Sequence, residues 1–239
     1  MRGPLPIAVV SALPDEMGAA RRRLRGSPSR AVVAVTGDGP VRALDGLSRF
    51  LQRTPCAGVI AIGVAGALTP DLVAGELLAA REVFTDDKMT AVPDGSWLAA
   101  AISSGAKACT FVSTGTIVTS PADKAALARR VRRMPAAVDL ESAAWARAAA
   151  TFNVPIAVLR IVVDAADEEL PAFLAAHVRA DGSVRRWGIA ASALVRPARI
   201  PSLVRLARRT WSGSERLAGA VERMIGALAE PGVASRRAV

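Results

Sequence analysis

The chain has 239 residues, is 51% hydrophobic and carries a net charge of +10. That length can bury the core of a single domain, and no segment approaches the roughly 20 apolar residues needed to cross a bilayer. Two cysteines without CxxC spacing, Cys56 and Cys109, and a single histidine, His177, offer no zinc site and no Cys–His nucleophile. The cysteine usage suits a reducing cytoplasm.

The apolar start at 5–13 is short and cut by Pro4, Pro6 and Pro14, which marks a first strand at 5–12 rather than a signal peptide. Further apolar runs of strand length fall at 31–36, 57–63, 76–84, 109–113 and 154–163. Helical stretches lie between most of them, at 14–26, 40–54, 96–105, 121–133 and 141–152. Near-continuous Val/Ile/Ala strands alternating with helices predict an α/β fold whose largely parallel sheet is covered on both faces. Short connections around 76–118 leave room for mixed pairing.

The composition changes after Pro171, from which point helices and no strand are predicted. In 200–211, Ile200, Leu203, Val204, Ala207 and Trp211 share one face and Arg205, Arg208 and Arg209 lie off it, a basic amphipathic pattern. Residues 215–229 repeat it through Leu217, Val221, Met224, Ile225 and Leu228, and the end from Pro231 reads as frayed. The chain thus divides into a core at 1–170 and an Arg-rich helical extension of the same domain at 171–239. Residues 179–239 hold twelve Arg, no Lys and four acids, a net of +8. An end of this kind favours an anionic surface such as membrane headgroups, although a helix packed on the core explains 200–211 equally well. Four scattered Trp, five Phe and no Tyr supply no base-stacking series, so nucleic acid is not the expected partner.

Two carboxylates stand at successive exits from apolar strands: Glu141 in VDLESAA (138–144) and Asp164 in LRIVVDAAD (159–167). In an open α/β sheet ligands bind beyond the carboxyl ends of the strands, so both side chains are expected in one crevice. Each has an ordinary reading as well. Asp164 could cap a short helix from 165, with Asp167 completing a capping box, and Glu141 and Glu16 could be first-turn acids that complement a helix dipole. The turns at Gly37-Asp38-Gly39 and Gly63-Val64-Ala65-Gly66 could hold an anion or a ribose through backbone N–H groups, with Arg42 adding charge. Tight-turn geometry alone would also call for those glycines. Arg160, on an otherwise apolar strand, needs a carboxylate or ligand partner and is read as orienting Asp164 or another site acid. His177 reads as a surface or satisfied polar residue.

SALPDEM at 11–17, AIGVAGALTPDLVAGELLAAREV at 61–83, VDLESAA at 138–144 and NVPIAVLRIVVDAAD at 153–167 resemble the nucleoside phosphorylase/nucleosidase superfamily, which includes methylthioadenosine/adenosylhomocysteine nucleosidases. The likeness covers roughly 5–170. With GDGPVRA at 37–43 and the Arg-rich end, the whole chain is most similar to the hopanoid-associated branch. The resemblance implies a three-layer α/β/α sandwich with a central mixed, largely parallel sheet, and cleavage of the N-glycosidic bond of an adenine nucleoside. For the branch that nucleoside would be adenosylhopane. Small nucleosides such as methylthioadenosine or adenosylhomocysteine, or a non-catalytic nucleoside-binding relative, are the alternatives.

The resemblance gives Asp164 the role of general acid to purine N7, Glu141 the ribose hydroxyls, and Glu16 the attacking water. Leu140, Ile117, Val118, Val64, Gly66 and Arg160 join the substrate-binding set. Burial should raise the Asp164 pKa, while Glu141 at a helix N-terminus should stay ionised. Val64 stands where relatives commonly have Ser or Thr, Ala61 where some phosphorolytic relatives have arginine, Ile117 near the place of a stacking aromatic, and Asp139 for the first glutamate of an E-x-E pattern. Glu16 points to water as nucleophile; phosphate as co-substrate would fall to Gly37, Gly39 and Arg42. No metal and no cofactor is expected. A cytoplasmic homodimer, peripheral at the inner membrane face through its basic helices, completes the expectation.

Overall fold

Strands rich in Val, Ile and Ala with no polar alternation must bury both faces, and these do. A computed structural model describes residues 5–25, 30–85, 88–184 and 200–229. Its eight strands form one sheet. β2 (Ala31–Val35), β1 (Ile7–Ser11), β3 (Gly58–Ala67) and β8 (Ile156–Asp164) are parallel neighbours in that order. β8 then pairs antiparallel with β4 (Leu77–Thr85), which carries β5 (Lys88–Ala91) antiparallel and β6 (Lys107–Ser113) parallel. β7 (Ala136–Asp139) lies parallel to β6 and returns antiparallel to the end of β3. The ladder β3-β8-β4-β6-β7 therefore closes on itself, so the expected mixed sheet curls rather than lying open.

Alternation along the strands sorts the two covering layers. Ala8 and Val10 of β1 pack with Ala43 and Leu47 of α2 (Pro40–Arg53) and Trp145 of α5 (Ser142–Thr151). Ile7 and Val9 face the other way, onto α1 (Pro14–Leu24), α3 (Gly95–Ser103) and the long C-terminal helix. α4 (Pro121–Val131) covers β6 and β7 through Leu127 and Val131, and opens with a cap in which the Asp123 N–H donates to Ser120 Oγ at 3.0 Å.

Two strands lie outside the sequence expectation. β5 and β7 have four residues each, and β7 reads Ala-Ala-Val-Asp, so its neighbours rather than its own propensity make it a strand. The two helical segments expected at 200–211 and 215–229 are one helix, α7 (Ile200–Ala229). Ser212-Gly213-Ser214 looks like a break in the sequence. A Cβ at Gly213 would lie 2.5 Å from Ile161 Cγ2, so the glycine lets the helix press against β8. The second half of α7 buries Leu217, Val221, Met224 and Ile225 and is tied to α1 by Arg22–Glu215 (2.6 Å) and Arg23–Glu222 (3.2 Å). The described residues between β8 and α7 include the short α6 (Phe173–Ala176) and a bridge joining Val178 to Val184. No helix of the described residues is long and apolar enough to cross a membrane. The expected frayed end from Pro231 falls outside the described residues.

Candidate active site

The closure of the sheet creates the site. Gly66, near the end of β3, pairs with Asp164 on one side and Val138 on the other, so the exits of β8 and β7 meet across one residue. The β3–β8 register slips between Ala65 and Gly66, which brings Asp164 rather than Val163 opposite Gly66. A pocket of about 260 Å³ opens there, on the scale of a single small ligand. Glu16, Glu141 and Asp164 all line it, together with Val64, Gly66, Ile117, Val118 and Leu140. Eight of the sequence-predicted residues thus share one cavity.

Glu16 sits in the first turn of α1, where its Oε2 accepts from the Leu13 N–H at 3.2 Å. Burial pushes its pKa up, against the pull of Arg160 and backbone N–H groups. Glu141 is the N-cap residue of α5 but caps nothing with its side chain; Oε1 instead accepts the Gly39 N–H at 3.1 Å. The expectation that it stays ionised meets opposing surroundings. Burial, opposed by Arg160 and reinforced by the negative charges of Asp139 and Glu16, raises its pKa to about 8. The helix N-terminus does not offset desolvation because the carboxylate has one backbone N–H donor, from Gly39, and two acidic neighbours, Asp139 and Glu16, that disfavour its charge.

Arg160 corrects a second expectation. It is 1% exposed and lies outside the pocket lining, whereas the substrate-binding expectation would put it there. Its Nε and Nη2 donate to Asp139 Oδ2 at 2.8 and 2.5 Å, and Nη2 stands 3.7 Å from Glu141 Oε2. The guanidinium lies over Trp145, 4.8 Å from the ring centroid. A Cβ at Gly63 would meet Arg160 Nη1 at 2.3 Å and Glu16 Oε1 at 3.2 Å, so the glycine makes room for both. Asp139 also accepts from Ser113 Oγ at 2.7 Å and from Ser142 Oγ. This network fixes the acids that precede α5. It does not touch Asp164.

Asp164 is held from elsewhere. Lys124 of α4, 0% exposed, donates from Nζ to Asp164 Oδ2 at 2.6 Å. Burial raises the Asp164 pKa, as expected, while the hydrogen bond and charge of Lys124 pull it down. The capping alternative fails, since no helix begins at 165. Sequence reading missed Lys124. The available signal was its register, because Leu127 and Val131, three and seven residues on, put it on the inward stripe of α4.

The candidate anion site is also corrected. Gly37, Gly39 and Arg42 do not line the pocket. The Gly39 N–H is taken by Glu141, and Arg42 pairs with Asp181 at 3.2 Å and Asp38 at 3.6 Å. The protein's own carboxylates occupy these donors. Apolar wall that the sequence did not assign to the site comes from Leu170, Leu174, Val184 and Leu206. His177 ends α6, with Nδ1 2.9 Å from the Phe173 carbonyl oxygen.

Fold and pocket together define an α/β protein that gathers buried acids where its strands end. The chain belongs to the phosphorylase superfamily, whose family model matches residues 6–196. Solved structures with this fold include a mutant of Helicobacter pylori 5′-methylthioadenosine/S-adenosylhomocysteine nucleosidase with 5′-methylthioadenosine in its active site. It is 18% identical, with a TM-score of 0.72 over 94% of this chain and 99% of that one. The Neisseria meningitidis nucleosidase in complex with methylthio-immucillin-A is 18% identical, with a TM-score of 0.71 over 92% and 98%. Helicobacter pylori futalosine hydrolase is 19% identical, with a TM-score of 0.71 over 93% and 97%.

Proposed function

We propose that the protein cleaves the N-glycosidic bond of an adenine nucleoside by hydrolysis, releasing adenine, and that its substrate carries a large apolar 5′ substituent, with adenosylhopane the first candidate. The observation that carries this reading is the convergence of Glu16, Glu141 and Asp164 on one otherwise apolar pocket. Departure of the base leaves positive charge on the sugar and negative charge on the purine. Asp164, whose acid form burial favours, donates to N7. Glu141 engages the ribose hydroxyls, and its carboxylate form is favoured as the ring becomes cationic, since a nearby positive charge stabilises it. Glu16 takes the proton of the attacking water. Hydrolysis is favoured over phosphorolysis because Gly39 and Arg42 are already engaged by Glu141, Asp38 and Asp181.

The apolar wall of Leu170, Leu174, Val184 and Leu206 supports the 5′ assignment. α7, which supplies Leu206, also turns Ile200 (44% exposed), Val204 (42%) and Trp211 (74%) outward, with Arg205 and Arg208 exposed beside them. This stripe supports a cytoplasmic protein peripheral to an anionic membrane, where an apolar substrate would be drawn. A homodimer belongs to the same proposal, checked by light scattering.

The test is incubation with adenosylhopane, methylthioadenosine, adenosylhomocysteine and adenosine, with and without phosphate, identifying the sugar product by mass. Free sugar supports hydrolysis, and a 1-phosphate sugar reverses that assignment. Adenine release that survives Asp164→Asn or Glu141→Gln overturns the acid assignments. Preference for a small nucleoside transfers the function to that class, and a bound nucleoside left intact makes the chain a binding protein. Sedimentation with anionic vesicles, compared with Trp211→Asp, tests the membrane reading, which fails if neither protein binds.

A further inference from the structure

The buried ammonium behind Asp164 has a consequence for the proton that Asp164 would transfer. Lys124 Nζ donates to three oxygens: Asp164 Oδ2 at 2.6 Å, the Ala165 carbonyl at 2.7 Å and the Glu168 carbonyl at 2.8 Å. An ammonium has three hydrogens and no acceptor, so all of it is committed. Oδ2, receiving a hydrogen from Lys124, cannot offer one back. Oδ1 makes no hydrogen bond among the described residues, and Asp164 lines the pocket. Both oxygens lie over Gly66, where a Cβ would stand 2.8 Å from Oδ2 and 3.1 Å from Oδ1.

We propose that Lys124 is a positioning residue for the reaction: by occupying Oδ2 it fixes the carboxyl plane and assigns the transferable proton to Oδ1, facing the base. This rests on the glycosidic-cleavage reading above. In the step itself, the C1′–N9 bond breaks with its electron pair going to the purine, and the Oδ1 proton passes to N7. Asp164 is left as a carboxylate beside the Lys124 ammonium. Water bonds to C1′ and gives its proton to Glu16, from which solvent returns one to Asp164. Lys124 thus strengthens the acid at the moment it acts, because it stabilises the anion that transfer creates. Among the described residues, the other charges that act on Asp164 are Glu168 and Arg209. They pair with each other at 2.5 Å, and Arg209 also donates to the Val163 carbonyl at 3.0 Å, so Lys124 is the charge in direct contact.

A residue that merely clamped the 165–168 loop would affect folding and activity together without moving a titration. The proposal requires something else. In Lys124→Met, kcat should fall about 100-fold with KM within about threefold, while the high-pH limb of kcat/KM moves up by about one unit or more, since the lost cation no longer favours the Asp164 carboxylate. Lys124→Gln keeps a donor without the charge and should show the same upward limb if the Met variant does not fold. Lys124→Arg keeps the charge and should leave the limb near its wild-type position. The infrared band of the protonated Asp164 carboxyl, assigned by its loss in Asp164→Asn, gives the same titration without any turnover. A wild-type protein that releases adenine from no nucleoside refutes the proposed function, and the infrared titration still decides this inference. It is overturned if the uncharged variants titrate where wild type does.

Discussion

Replacing Glu141 with glutamine should make the protein inactive and, in alkaline solution, more stable. The carboxyl is isosteric with the amide, so the swap tests charge alone. A rise in pKa from 4.5 to about 8 means that folding favours the protonated form. At about 1.4 kcal/mol per pH unit, that difference is worth on the order of 5 kcal/mol. The sign follows from proton counts. Below 4.5 both states bind the proton and Glu141 costs nothing. Between 4.5 and about 8 the unfolded chain loses it and the folded chain keeps it, so wild-type stability falls as pH rises. Above 8 the cost is complete, and Glu141→Gln does not carry it. For a chain of this size, 1 kcal/mol moves Tm by roughly 2–4 °C, so the variant should exceed wild type by roughly 10–20 °C at pH 9 and by little at pH 5. Thermal unfolding followed by circular dichroism across that range measures it. Adenine release should drop by about 100- to 1,000-fold at the same time. A Tm difference that is the same at both pH values refutes the placement of Glu141 as a buried acid charged at a cost.

Gly66→Ala should fold but lose about 100-fold in kcat, since its Cβ would sit 2.8 Å from Asp164 Oδ2 and push the carboxyl off its line; unchanged kcat would mean that Asp164 tolerates displacement. Gly213→Ala should cost about 1–3 kcal/mol in urea unfolding, because α7 would be pried from Ile161, and Ile161→Ala in the same chain should recover part of the loss. Arg160→Met leaves Asp139 buried without its cation and should destabilise by about 3–5 kcal/mol in the same assay. Leu174→Trp narrows the apolar wall and should lower kcat/KM for a long 5′ substituent by at least about tenfold more than for adenosine.

What could be read from the sequence followed chain-local chemistry. β1, β3 and β8 announced themselves as Val/Ile/Ala runs, and Glu16 after β1 and Asp164 at the end of β8 fell where a parallel sheet puts ligands. β7 did not, because Ala136-Ala137-Val138-Asp139 has no strand signature apart from the neighbours that pair with it. The partners of charged groups were equally hidden. The lone guanidinium on an apolar strand calls for Asp164 or another site acid as its partner; the structure gives it Asp139 and Glu141, whereas Asp164 draws on Lys124, forty residues away. Side chains four residues apart on one strand point to the same face, but here a slip in register intervenes between Arg160 and Asp164. Salt-bridge choice is set by such tertiary details, which no periodicity records.

That division of partners bears on how one site can hold acids with different tasks. Arg160 is shared by Asp139, Glu141 and Glu16, so three carboxyls compete for one guanidinium, and two of them have raised pKa values. Asp139 wins it by geometry, through the two contacts at 2.5 and 2.8 Å. Glu16 and Glu141 are therefore left in surroundings that resist their charge, and a cation in the pocket would favour it. An uncharged nucleoside provides no such cation; a sugar ring losing its base does. The electrostatic reward for ionising these groups is thereby reserved for the transition state, which is the condition for lowering a barrier rather than merely tightening binding. Were Arg160 also the partner of Asp164, the acid that must give its proton and the acids whose charge the developing cation favours would titrate as one coupled group. A separate lysine, on a separate helix, keeps the two ends of the reaction apart.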